Sequence, residues 1–182
     1  MKAEKISRRH FLRGKFLSGL QSQSQKTLGL AAIRPPWAVS ENDFTIQCNR
    51  CGHCITACES RILVQGEGNF PEVRFDQGEC TFCQRCVDVC QQSAFRPITE
   101  QPWFHQVKIQ NTCLSSQRIT CRSCQDSCPT NSISFRLQPG GIAQPQLNLD
   151  SCNGCGACIS SCPVRAITLS SIEDNETTEH HT

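Results

Sequence analysis

Cys48-Asn49-Arg50-Cys51-Gly52-His53-Cys54-Ile55-Thr56-Ala57-Cys58 places four cysteines within eleven residues, with two, two and three residues between them. The pattern returns at Cys80, Cys83, Cys86 and Cys90. It returns again at Cys152, Cys155, Cys158 and Cys162, where Pro163 follows. A further quartet, Cys113, Cys121, Cys124 and Cys128, has seven residues in its first gap and ends on Pro129. The quartets use all sixteen cysteines of the 182-residue chain. Their even recurrence marks an internal repeat.

Such cysteine density has three readings: disulfides, zinc or iron–sulfur. Disulfides belong to oxidising compartments and normally accompany a complete secretory signal, which this sequence lacks. Zinc sites pair two C-x2-C units across a long gap. Four cysteines packed this closely, three times over, fit the bacterial ferredoxin run instead. Three cysteines two residues apart let a tight loop wrap one face of a cubane. The same loop turns backbone N–H groups toward the inorganic sulfurs. Gly52, Gly154 and Gly156 allow that close approach. The fourth cysteine lies on a short helical turn and points away, and in two-cluster ferredoxins it completes the other cluster. The expected cofactors are four 4Fe–4S clusters. Their expected ligands are Cys48, Cys51, Cys54, Cys58, Cys80, Cys83, Cys86, Cys90, Cys113, Cys121, Cys124, Cys128, Cys152, Cys155, Cys158 and Cys162.

Two points stay open at this level. Neighbouring quartets can pair first with second and third with fourth, so that Cys90 joins Cys48, Cys51 and Cys54, and Cys58 joins Cys80, Cys83 and Cys86. A nested scheme pairs first with fourth and second with third. The other open point is Cys113. Either residues 114–120 loop out while Cys113 reaches the cubane, or Cys113 is not a ligand.

The rest of the chain agrees with a cluster-held body. Hydrophobic residues make up 37% even with cysteine counted, so the conventional core is small and metal must supply part of the cohesion. Ile62–Val64 and Glu72–Phe75 flank Gly66-Glu67-Gly68-Asn69 as strand, turn, strand. Ile133–Leu137 and Gln146–Leu149 flank Pro139-Gly140-Gly141 in the same way, and Ala166–Leu169 reads as a closing strand. The predicted fold is α+β: tandem bacterial-ferredoxin-like modules of two clusters each, with short hairpins, short helices and flexible termini. Its parts are a basic, mostly flexible arm over 1–36, one module over 37–98, a connector over 99–112, a second module over 113–170 and a disordered acidic tail over 171–182. Residues 97–112 show no clean period, and Pro102-Trp103-Phe104 suggests a packed connector.

Charge is uneven. Residues 1–26 sum to +6, so the remainder carries −4 although the whole chain is +2. With no basic face left on the body, nucleic acid is not an expected partner. No stretch approaches the apolar length of a membrane span. Ser7-Arg8-Arg9-His10-Phe11-Leu12 looks like a twin-arginine export motif, but Gly14–Leu20 leads into a Gln/Ser run rather than an apolar segment. Pro35 and Pro36 predict an extended segment, with Trp37 packed on the body. His53 is expected to be exposed and idle, and His105 packed. No nucleophile–base pair, phosphate loop or flavin signature is present, so no enzyme activity is expected.

Taken together, Ser7-Arg8-Arg9-x-Phe11-Leu12, Ile33-Arg34-Pro35-Pro36-Trp37-Ala38 and the order of the quartets resemble the NapF family of ferredoxin-type proteins, from bacterial periplasmic nitrate reductase systems. The resemblance covers the chain to about residue 170. It implies a cytoplasmic protein that binds the precursor of the catalytic molybdenum subunit and assists its maturation before export. Related polyferredoxins imply the alternative of an electron relay between a quinol or dehydrogenase module and a reductase.

Overall fold

Each quartet builds the same local unit. α2 (His53–Ala57), α3 (Arg85–Asp88), α4 (Ser123–Asp126) and α5 (Ala157–Ser160) are single turns, each carrying the third cysteine of its quartet. The fourth cysteine follows just beyond the turn. Turns this short have no stability of their own, because nucleation costs more than one turn returns. They persist through packing: α2 contacts α3, and α4 contacts α5.

The computed structural model describes residues 32–171. The twin-arginine-like motif and the tail from residue 172 onward lie outside the described residues. The body opens with α1 (Glu41–Gln47), capped by Ser40, whose Oγ accepts from the Asp43 N–H at 3.4 Å. β1 (Leu63–Gln65) pairs antiparallel with β2 (Pro71–Val73), Val64 opposite Glu72, around a 3-10 turn at Glu67–Asn69. β4 (Ile133–Leu137) pairs with β5 (Ala143–Leu147) across the Gly140–Gly141 turn, Phe135 opposite Pro145. Pro145 is tolerated because a two-stranded ribbon leaves one edge unpaired.

The third ribbon departs from the sequence reading. Within the stretch read as connector, His105–Ile109 forms β3, which pairs antiparallel with β6 (Ile167–Ser171), Val107 opposite Leu169. Its partner is nearly sixty residues away. Only Val107 of the five is buried, so no alternation showed. All three sheets are two-stranded, a size with marginal stability in water.

The Pro-Pro-Trp segment also differs. Instead of running extended, it bends: the Ala38 N–H donates to the Pro35 carbonyl at 3.1 Å, and Trp37 takes φ +61°. Proline in the second place presets such a turn, and the third place demands positive φ. A bulky residue there is strained, and the ring's packing offsets the strain. Trp37 is buried, its Nε1–H donates to the Glu100 carbonyl at 2.9 Å, and its ring meets Phe82 edge-on at 6.2 Å. Trp103 stands at the centre of the aromatic group. Its ring lies 5.6 Å from Phe82, 5.8 Å from Phe75 and 4.9 Å from His105, and its Nε1–H donates to the Arg34 carbonyl at 3.0 Å. Arg34 and Pro35, read as the end of the arm, are therefore packed. The Arg34 guanidinium makes a bidentate pair with Glu41 at 2.7 and 2.6 Å and lies over the Phe44 and Phe70 rings. The hydrogen bond to Glu41 raises its pKa further.

Candidate metal centres

The loops between the cysteines share one backbone rhythm. After the first cysteine of a quartet, the second and fourth residues take left-handed φ: Arg50 and Gly52, Phe82 and Gln84, Gly154 and Gly156. Successive left-handed residues turn consecutive N–H groups to one side, which makes an anion cradle. Only half of these positions are glycine, so the cradle is set by what it surrounds as much as by local preference. Backbone N–H groups already reach sulfur: Arg50 to Cys48 and Phe82 to Cys80 at 3.4 Å, Ser132 to Cys128 at 3.3 Å, and Ala166 to Cys162 at 3.2 Å.

The third quartet lacks this rhythm. Arg122, at the place of Gly52 and Gly156, has φ −135°. Its long gap instead folds into turns, with Gln117 N–H on the Cys113 carbonyl and Ile119 N–H on the Leu114 carbonyl. Buried Ser115 pins the loop: its Oγ–H donates to the Cys121 carbonyl at 2.9 Å, and its own carbonyl accepts from Gln144 Nε2 at 2.6 Å. Residues 114–120 thus loop out while Cys113 stays beside Cys124.

The structure brings the thiols into four sets. Cys48, Cys51, Cys54 and Cys90 line one concavity of about 370 Å³, walled by Phe44, Pro71 and Phe95. Cys80, Cys83 and Cys58 lie near Cys86, which also feels Cys54 of the neighbouring set. Cys113, Cys121 and Cys162 surround Cys124. Cys128, Cys152, Cys155 and Cys158 line a second concavity of about 300 Å³ against Val107 and Pro129. In this placement the fourth cysteine of each quartet stands with the first three of its sequence neighbour, the arrangement expected of tandem pairing. His53 is exposed and also lines the first concavity, whereas His105 is packed with Nε2 3.1 Å from the Gly154 carbonyl.

The donor chemistry suits a large, electron-poor group. Burial, helped by neighbouring sulfurs, pushes Cys86 and Cys158 from 9.0 up to about 12 and Cys54, Cys80 and Cys124 up to about 11. Burial raises Cys155 as well and would raise Cys128. At Cys128, hydrogen bonds from the Thr130 side chain and the Ser132 N–H outweigh it and lower the thiol. A single zinc ion needs thiolates about 3.8 Å apart, two Zn–S bonds of 2.3 Å at the tetrahedral angle. Among the described residues no group of three or more His, Cys, Asp or Glu is placed to hold a single metal ion. All-sulfur sets, held open around apolar hollows with inward N–H groups, match an iron–sulfur cubane.

Loading such a group must displace protons. Below about 11 the buried thiols keep their protons, so acid opposes iron binding. Chelator-driven iron loss is expected to run faster near pH 6 than near pH 8, with affinity falling roughly tenfold per pH unit for each proton released. Loss at equal rates would rule this out.

Charge divides along the body. Residues 32–104 hold six Lys/Arg against nine Asp/Glu, whereas 105–171 hold five against two. Among the described residues no helix is long and apolar enough to cross a membrane.

The family of 4Fe-4S dicluster domains matches residues 47–94 and 117–166; the second match begins after Cys113. The ferredoxin-type protein NapF of Haemophilus influenzae is 51% identical over 176 residues, 97% of this chain and all of that protein. The ferredoxin-type protein NapF of Escherichia coli K12 is 50% identical over 75% of this chain and 83% of its own length. The ferredoxin-type protein NapG of the same strain is 30% identical over 79% of this chain and 71% of its own. Two dicluster matches and sixteen cysteines in four thiol sets correspond to four 4Fe–4S clusters, and the chain belongs to the NapF family of ferredoxin-type iron–sulfur proteins.

Proposed function

We propose that the chain is a cytoplasmic iron–sulfur accessory of a periplasmic nitrate reductase system. It would bind the precursor of the catalytic subunit and assist its maturation before export. The observation that carries this reading is the likeness to the Haemophilus NapF over essentially the whole of both chains. The export-like motif at Ser7–Leu12 is followed by a Gln/Ser run and then only the short apolar patch Leu28–Ile33, which supports a cytoplasmic site of action. Anaerobic co-purification tests it. Capture of the unexported catalytic precursor is expected, and capture of the mature periplasmic subunit alone would sink it.

The same reading assigns the ligands set by set: Cys48, Cys51, Cys54 and Cys90; Cys58, Cys80, Cys83 and Cys86; Cys113, Cys121, Cys124 and Cys162; Cys128, Cys152, Cys155 and Cys158. When bound, each cluster supplies a one-electron redox centre. The residues supply thiolates, inward N–H groups and apolar walls that limit water. Cys113 is the informative ligand, since it lies outside the second dicluster match. Cys113→Ser is expected to lower iron from about sixteen atoms per chain to about twelve, with sulfide falling in step. Undiminished iron and sulfide would remove Cys113 from the set.

A further inference from the structure

The two halves meet where chain order does not put them. The Cys80 N–H donates to the Cys155 carbonyl at 2.8 Å, joining the second quartet to the fourth. The contact is braced on both sides. Phe75 packs on Gly156 so tightly that a Cβ there would stand 2.1 Å from the ring. His105 lies edge-on to Phe75 and holds the Gly154 carbonyl at 3.1 Å. Gly154 and Gly156 therefore have a second use besides shaping the cradle: they let the first half of the body come up against the fourth set. Among the described residues no backbone hydrogen bond joins the second quartet to the third.

We propose that the Cys80–Cys155 peptide contact is the electron crossing between the halves, so that the four clusters are wired first, second, fourth, third. The inference rests on the four-cluster ligand assignment. Through-bond passage is direct: from the Cys80 sulfur through its Cβ, Cα and N–H, across the hydrogen bond, and through the Cys155 carbonyl, Cα and Cβ to its sulfur. When bound, the cluster held by Cys58, Cys80, Cys83 and Cys86 would give up one electron per crossing, and the cluster held by Cys128, Cys152, Cys155 and Cys158 would take it up. No bond forms or breaks, and no proton moves. A low-potential one-electron donor at one end supplies the electron. A one-electron acceptor at the other end takes it. The ends are then the first set and the irregular third set, at opposite extremes of the wire.

The test is electron paramagnetic resonance of the full chain, purified anaerobically and reduced with dithionite. Cys51→Ala with Cys121→Ala leaves the second and fourth sets whole. Cys51→Ala with Cys152→Ala leaves the second and third. Each double variant should hold about eight irons per chain against about sixteen in the parent. The first should give a split, fast-relaxing signal from interacting spins, and the second should lose that splitting. Equal sharp signals, or splitting only in the second, overturn the proposal. Where a double variant holds too little iron, Phe75→Leu replaces it, since Phe75 contributes no thiol. Full iron with a weakened interaction signal supports the crossing, and an unchanged signal overturns it. A parent chain well short of sixteen irons overturns the ligand assignment and the crossing with it. Full iron without second-to-fourth interaction overturns the crossing alone.

Discussion

Removing the iron is expected to unfold residues 32–171 cooperatively rather than leave a folded apoprotein. The elements have little else to hold them. The α-helices have four to seven residues, and the sheets are three separate two-stranded ribbons. Neither unit is stable alone in water. The fully buried large side chains are few: Phe44, Ile62 and Pro35, with the small Ser115 among them. Four thiol sets tie every one-turn helix to its neighbour, so the clusters are the cross-links of this body. A structural metal site in a small domain is worth about 10–16 kcal/mol, whereas a whole domain is typically stable by only 5–15. Loss of all four sites therefore exceeds any plausible reserve. Far-ultraviolet circular dichroism and amide exchange, before and after anaerobic chelation, read the outcome. An iron-free chain that keeps its slow-exchanging amides and a sharp thermal transition would refute the account. Partial removal is informative too. Because neighbouring sets share α2–α3 or α4–α5, losing one cluster should loosen its own half first.

Trp103→Ala is expected to be the most damaging substitution that touches no thiol. The indole is 7% exposed and meets Phe75, Phe82 and His105, one from each segment that converges there. Truncating a buried tryptophan costs about 3–5 kcal/mol. The Arg34 carbonyl would also lose its donor, for about 1–3 kcal/mol more where water cannot replace it. Trp103→Phe separates the two contributions, since it keeps most of the apolar area and removes only the N–H. Denaturant midpoints of the iron-loaded variants, followed by bleaching of the cluster absorbance, measure both. A midpoint unchanged in Trp103→Ala would show that the aromatic group does not hold the halves together. The effect should also exceed that of Phe104→Ala, because Phe104 is 58% exposed.

Much of the site was legible in the chain. The quartet spacing announced the one-turn helices but put the fourth cysteine on them, whereas in α2 to α5 the third cysteine lies inside the turn and the fourth just beyond it. The two hairpins were legible because Gly-rich turns separate β-prone runs. β3 was not: Val107 is its only buried residue, and its partner β6 lies far along the sequence. The turn at Trp37 was hidden because positive φ is read from glycine, and here an indole pays that local strain through its packing. Loop positions such as Arg50, Phe82 and Gln84 were hidden for the same reason.

The sixteen cysteines and their intervals determined the donor chemistry, the number of centres and the repeated loop, because ligand reach over two or three residues is a local property of the chain. Which quartets lend cysteines to each other, where residues 114–120 go, and the meeting of Cys80 with Cys155 were decided only in three dimensions. Those depend on contacts between segments up to 75 residues apart, as Cys80 is from Cys155. Such contacts are fixed by burial of a few aromatic rings and glycines at the junction, not by any local spacing.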